Sequence, residues 1–212
     1  MQENVMLSVI VANGDEPTVT QMTRELLEVE KFPVGAELLF VNNWWEGVKQ
    51  AHNNYICLLE PDCLVSKDYF VNLANSLQEN LYFRKLNMMA SAVGVNSWAD
   101  KIYGYKLGRG GRITPSKFPT SGTPYPVEIG YVPGAIIRTS TLRRVIEDYN
   151  YDTANLIELS AELSFYFWSK GKRVHVNPST TYVTTENYVG EDADFDLTPP
   201  PAATEIFNRE AI

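Results

Sequence analysis

Five apolar residues, Tyr55-Ile56-Cys57-Leu58-Leu59, run without interruption into Glu60-Pro61-Asp62. A continuous apolar run of this length suits a strand buried on both faces, as in the parallel sheet of an α/β domain. Pro61 has no N–H to give to a ladder, so the strand ends before it. Glu60 and Asp62 then project at the carboxyl edge of the sheet, where open α/β folds bind ligands. Two acidic side chains on such a rim suit a hard divalent cation that also holds phosphate oxygens.

The 212 residues suffice for one domain with a substantial core, and 44% hydrophobic with 21% charged residues argue against wholesale disorder. No apolar run approaches a membrane span, and no basic segment followed by an apolar one opens the chain, which points to a soluble cytoplasmic protein. Cys57 and Cys63 flank the acidic turn without a CxxC partner, so reduced thiols are expected rather than a disulfide, a zinc site or a thiol nucleophile. The net charge of -8 is concentrated at one end. From Glu186 onward seven acidic residues face Arg209 alone, leaving that segment at -6 and the remainder at -2. A duplex-binding face is not expected on such a chain. One local exception, Lys101, Lys106, Arg109, Arg112 and Lys117, reads either as a solvated loop or as an arm that meets an anion.

The order of segments is β-α-β-α-β-α. A strand at 5–12 precedes a helix at 17–31, and a strand at 36–41 precedes a short helix from Trp45 to His52. After the strand ending at Glu60, Ser66 is the expected cap of a helix to about Asn80. Right-handed crossovers then make the strands parallel. Beyond a strand from Leu86 to Val95 comes an irregular stretch up to Pro126, followed by a strand at 127–138 and a helix from Ser140. A helix at about 154–170 ends at Gly171, a left-handed cap, before strands at Arg173–Val176 and 180–184. Residues 1–188 read as a single domain, and 189–212 as an acidic, proline-containing tail.

These motifs resemble the family 2 glycosyltransferases of the GT-A fold. The segment from Gly47 to Asp62, GVKQAHNNYICLLEPD, is similar to the family's G-I-x-x-A-x-G-x-Y-I-x-x-L-D-x-D, in which a helix delivers the strand that carries the DxD acids. The resemblance implies a mostly parallel sheet flanked by helices, a nucleotide-sugar donor with UDP-sugar as default, and Mn²⁺ or Mg²⁺ on the donor diphosphate. It assigns the metal to Asp62 and Glu60, with Glu60 standing where the family has aspartate and long enough to reach sugar or ribose. It places Ala12 and Asn13 beneath the nucleobase, Asn42 on the base or ribose, and Gly134 at the donor–acceptor junction. Tyr151-Asp152 is similar to the F-D preceding the family's catalytic helix. In the E-D-x-D-L region the usual base position falls on Ser160, so Glu162 or Glu158, four residues apart, is the candidate base that deprotonates the acceptor hydroxyl.

The chain departs from that pattern in further ways. Only Trp44, Trp45 and Glu46 separate Asn43 from the helix at Gly47, and either tryptophan suits a stacking role or the core. The family's metal-binding histidine would fall near Thr184, whereas the chain's histidines are His52 and His175, both read as structural. Two readings therefore stand: an inverting, metal-dependent sugar transferase, or a degenerate GT-A domain that binds nucleotide or glycan without transfer. A nucleotidyltransferase is a third, disfavoured because Asn13-Gly14-Asp15-Glu16 lacks the basic glycine-rich loop that chemistry needs. The acceptor, whether glycan, protein or modified base, is not encoded legibly.

Overall fold

The computed structural model describes residues 5–13, 17–79, 87–95, 101–107, 113–116, 123–148 and 156–183. Strand β1 (Leu7–Ala12) is buried along its whole length, as a strand covered on both faces must be. Its side chains alternate between two cores. Leu7, Val9 and Val11 join Cys57 and Leu59 of β3 (Tyr55–Leu59) against helices α1 (Pro17–Val29) and α3 (Tyr69–Glu79). Ile10 joins Ile56 and Leu58 on the other face, against α2 (Trp44–Gln50), α4 (Thr139–Asp148) and α5 (Leu156–Ser169). Helix α2 packs so closely that a Cβ on Gly47 would collide with Ile10. Its carboxyl end is closed by Arg143 of α4, whose guanidinium donates to the carbonyls of Val48 and Ala51.

The remaining strands are β2 (Glu37–Val41), β4 (Leu64–Val65), β5 (Asn87–Val95), β6 (Lys101–Ile102), β7 (Tyr105–Leu107), β8 (Ile113–Pro115), β9 (Tyr125–Val127), β10 (Ile136–Arg138) and β11 (Arg173–Val183). The main sheet runs β2-β1-β3-β10-β5-β11-β4. Strands β2, β1 and β3 are parallel, as are β5 and β11, and the short β10 runs opposite to both β3 and β5. The expected α/β architecture, a mostly parallel sheet flanked by helices, is what the chain adopts. In the parallel trio Ala12 pairs with Val41 and Val11 with Leu59, so Asn13, Asn42 and Glu60 leave the sheet side by side at one edge.

Four details differ from the reading of the sequence. Ser66 does not cap α3: it exchanges main-chain and hydroxyl hydrogen bonds with Thr181 of β11, directly after the two-residue β4 that pairs with the same strand. The strand expected at 127–138 is two strands, β9 and β10, joined by a segment that leaves the ladder. There Gly130 and Val132 donate their N–H groups to the hydroxyls of Ser164 and Ser160 on α5. The two strands expected at the end are one, β11, irregular between Asn177 and Thr181, where the Asn177 side chain accepts from Ser179. The basic stretch contains β6 and the hairpin β7–β8, with Lys101 and Lys106 exposed. Arg109, Arg112, Lys117, Tyr151-Asp152 and the tail 189–212 lie outside the described residues.

Two features of this architecture have measurable consequences. Burial in β11 pushes the His175 imidazole from 6.5 down to about 4, while the ring's Nε2 approaches Ser76 Oγ at 3.4 Å. A group held neutral in the fold loses nothing above its unfolded pKa, and the unfolded chain alone takes the proton as pH falls from there toward 4. Stability should therefore decline across that window by up to about 3 kcal/mol more in the wild type than in His175→Leu, measured by urea melts at several pH values. Parallel pH profiles for the two proteins would contradict this. Gly134 sits at φ +72, and a Cβ there would strike Tyr69 Oη and Tyr182 Cδ2. Gly134→Ala should cost roughly 1–3 kcal/mol from left-handed strain and overpacking, seen as a melting temperature lower by about 2 °C or more. An unchanged melting temperature would show that the segment is free to shift.

Candidate active site at the carboxyl edge of β3

Where β3 ends, Glu60-Pro61-Asp62-Cys63 make a tight turn closed by the Cys63 N–H donating to the Glu60 carbonyl at 3.3 Å, with Pro61 at the position such turns favour. Thr23 of α1 donates its hydroxyl to the Pro61 carbonyl and fastens the turn to that helix. The two acids differ in environment. Glu60 is 6% exposed, whereas Asp62 is half-buried.

A buried carboxylate needs hydrogen-bond partners. Tyr182 of β11 is one: its hydroxyl donates to Glu60 Oε2 at 2.9 Å and accepts the Glu60 main-chain N–H at 3.0 Å. Tyr69 donates to the Gly134 carbonyl at 2.6 Å, and Gly134 donates its own N–H to the Leu58 carbonyl at 2.7 Å. Gly134 is thus pinned beside β3. Tyr105, bridged through its main chain to Ile129, and Tyr131 lie in the same buried cluster. Burial, with the Glu60 carboxylate adding to it, holds the Tyr105 hydroxyl above its ordinary range. Burial first, and then the nearby Glu60 and Asp62 carboxylates, together push the Cys63 thiol up to about 12. Cys63 is accordingly a packed thiol rather than a nucleophile.

The neighbouring strand ends carry the residues expected at the nucleotide. Ala12 closes β1 in the core, and Asn13 donates its main-chain N–H to the Val41 carbonyl and its side-chain amide to Asn42 Oδ1 at 3.3 Å. Both amides are exposed at the rim. Asn43 caps α2 by accepting the Glu46 N–H, and Trp44 donates its indole N–H to the Leu59 carbonyl at 3.2 Å. Trp44 and Trp45 are both partly buried against the second core, and Lys49 stands over the Trp45 ring.

Helix α5 places Ser160, which the resemblance set at the base position, in the core. Ser160 is fully buried, accepts from Val132, and donates to the Leu156 carbonyl at 2.6 Å. Ser164 repeats the arrangement one turn on, so these serines dock the 130–132 segment on the helix. Glu162 is half-buried and, two residues beyond Ser160, about 200° round the helix axis from that docking face. Glu158 lies in the same helix, its side chain outside the described residues.

Sequence reasoning missed Tyr182, Tyr105 and the two serines. Tyr182 lies 122 residues from Glu60, and nothing local marks it beyond being an aromatic residue in a strand. Among the described residues no three His, Cys, Asp or Glu side chains gather to hold an ion. Hard cations are also bound by one or two carboxylates when phosphate and water oxygens complete the shell. The pair Glu60 and Asp62 fits such a shared ion and not a closed protein cage. His175 is buried with its Nε2 facing Ser76 Oγ, and His52 pairs with Glu37 at the start of β2, on the opposite edge of the sheet.

No protein-family profile matches this chain, and no curated protein matches it in sequence. Solved structures do. The chain superposes on the crystal structure of GalNAc-T7 with UDP, GalNAc and Mn²⁺ with a TM-score of 0.62 at 9% identity, covering 90% of this chain and 45% of that one. It matches S. aureus TarS 1–349 in complex with UDP-GlcNAc with a TM-score of 0.55 at 13% identity, covering 88% of this chain and 60% of that one. The same TarS segment without ligand gives 0.54 at 14% identity, with 85% and 60% coverage. This chain therefore spans about half the length of the structures it resembles. No helix among the described residues is long and apolar enough to cross a membrane. The fold is a GT-A-like α/β fold.

Proposed function

We propose that this protein is a glycosyltransferase that moves a sugar from a nucleotide-sugar donor, UDP-sugar by default, to an acceptor hydroxyl with inversion. The observation that carries the reading is the grouping of Asn13, Asn42, Glu60 and Asp62 along one sheet edge, at the ends of three adjacent parallel strands. Open α/β sheets bind ligands at that edge. The GT-A-like neighbours were crystallised with UDP, or with UDP-GlcNAc, which favours a uridine diphosphate donor.

In this reading the rim amides Asn13 and Asn42 hydrogen-bond the base or ribose, and the 130–134 segment lines the donor–acceptor junction. Asp62 and Glu60 are the residues that would hold Mn²⁺ or Mg²⁺, and such an ion would supply positive charge to offset the negative charge developing on the leaving phosphate. The acceptor oxygen attacks the anomeric carbon as the bond to the β-phosphate oxygen breaks. Its proton needs a carboxylate to receive it, and Glu162 and Glu158 are the candidates the resemblance offers. Glu162 reaches the junction only if the acceptor approaches from the side of α5 opposite the 130–132 segment. The body at 1–188 acts as one unit, with 189–212 as an appended tail.

A second reading, a GT-A domain that binds nucleotide or glycan without transfer, is favoured by one observation. Ser160, at the family's base position, is sealed in the core with its hydrogen bonds committed. A thermal-shift panel of nucleoside diphosphates and nucleotide sugars, with and without Mn²⁺, separates the two when paired with assays of sugar release. Transfer predicts Mn²⁺-dependent stabilisation by one donor and turnover of it, and Asp62→Ala should abolish both while remaining folded. Stabilisation without sugar release selects the binding domain, and an Asp62→Ala protein that turns over normally refutes the site.

A further inference from the structure

Tyr182 ties several parts of the site together. Its hydroxyl meets both the main-chain N–H and the Oε2 of Glu60, and its ring lies against Gly134. Glu60 and Cys63 begin and end the acidic turn that contains Asp62. The tyrosine itself cannot easily move. It is 1% exposed, it sits in β11 between β5, where it pairs with Gly94, and β4, where it pairs with Val65, and its ring is tilted against Tyr69.

One hydroxyl bonded to the N–H and the carboxylate of the same residue fixes that carboxylate's rotation about its own backbone. The alternative rotamers of Glu60 break the bond to Tyr182 and leave a nearly buried carboxylate short of a donor. Outer partners of this kind commonly orient metal-ligating carboxylates, and losing one weakens the metal site. We infer that Tyr182 is the positioning residue of the donor site, holding the Glu60 carboxylate in the orientation that the cation–diphosphate pair requires. This rests on the donor-binding reading above. It assigns to Tyr182 no contact with the reacting atoms. It also accounts for glutamate in place of the family's aspartate: the longer side chain, otherwise free to swing, is tethered by the hydroxyl.

The test uses the full chain with UDP as probe, titrated calorimetrically with and without Mn²⁺. Tyr182→Phe keeps the packing of the ring and removes only the hydroxyl. It should weaken Mn²⁺-dependent UDP binding by about 10- to 100-fold, and raise the Mn²⁺ concentration needed for half-saturation. Thr139→Val serves as the control, because it removes a buried hydroxyl donor to the Asn53 carbonyl at the far end of β3. It should lower stability without moving UDP affinity. In a Glu60→Gln background the Tyr182→Phe effect on UDP affinity should largely vanish, since the tyrosine acts through that carboxylate. Wild-type UDP affinity in Tyr182→Phe, equal weakening by Thr139→Val, or a full effect persisting in Glu60→Gln would each overturn the assignment. So would failure of Tyr182→Phe to fold, which would make the hydroxyl a structural group. If the wild type binds no UDP under either condition, the donor-binding reading falls as well.

Discussion

A carboxylate enclosed by protein must be given hydrogen bonds or give up its charge. Glu60 is that group here, and the arrangement around the end of β3 follows from holding it. Tyr182 reaches it from β11, and the ring of Tyr182 is braced by Gly134, which only a residue without a side chain could be. Gly134 is in turn held by Tyr69 and by the main chain of Leu58. The chain between β9 and β10 therefore leaves the sheet, and Ser160 and Ser164 of α5 supply the acceptors that a neighbouring strand would otherwise provide. Helix, sheet and turn are coupled through a few hydrogen bonds around one acid.

Much of this was legible locally. The apolar run Tyr55–Leu59 and its stop at Pro61 identify the strand and its edge, because burial on both faces and a missing N–H are encoded residue by residue. The left-handed cap at Gly171, observed at φ +67, is of the same kind. What stayed hidden is set by distant pairings. Ser66 has the composition of a helix cap, yet its bonds go to Thr181, and β4 is too short to carry a periodicity. A run such as 127–138 reads as one strand because nothing local announces that its N–H groups will be taken by serines on a later helix. The partner of Glu60 was invisible for the same reason.

The site is assembled from adjacent strand ends and not from a cage of ligands. Such a rim contributes partial shells: two amides, two carboxylates and a close backbone approach, which a nucleotide diphosphate and its cation would complete together. On the proposed reading, metal and nucleotide would bind in a strongly coupled way, each supplying oxygens or charge that the other lacks.

The most direct measurement is a crystal structure of the full chain grown with UDP and Mn²⁺, with anomalous data collected at the manganese edge. The account predicts one anomalous peak between the UDP diphosphate and Asp62, beside a Glu60 still bonded to Tyr182, with uracil over the Asn13–Asn42 rim. A nucleotide bound elsewhere, or manganese coordinated without Asp62, would contradict it.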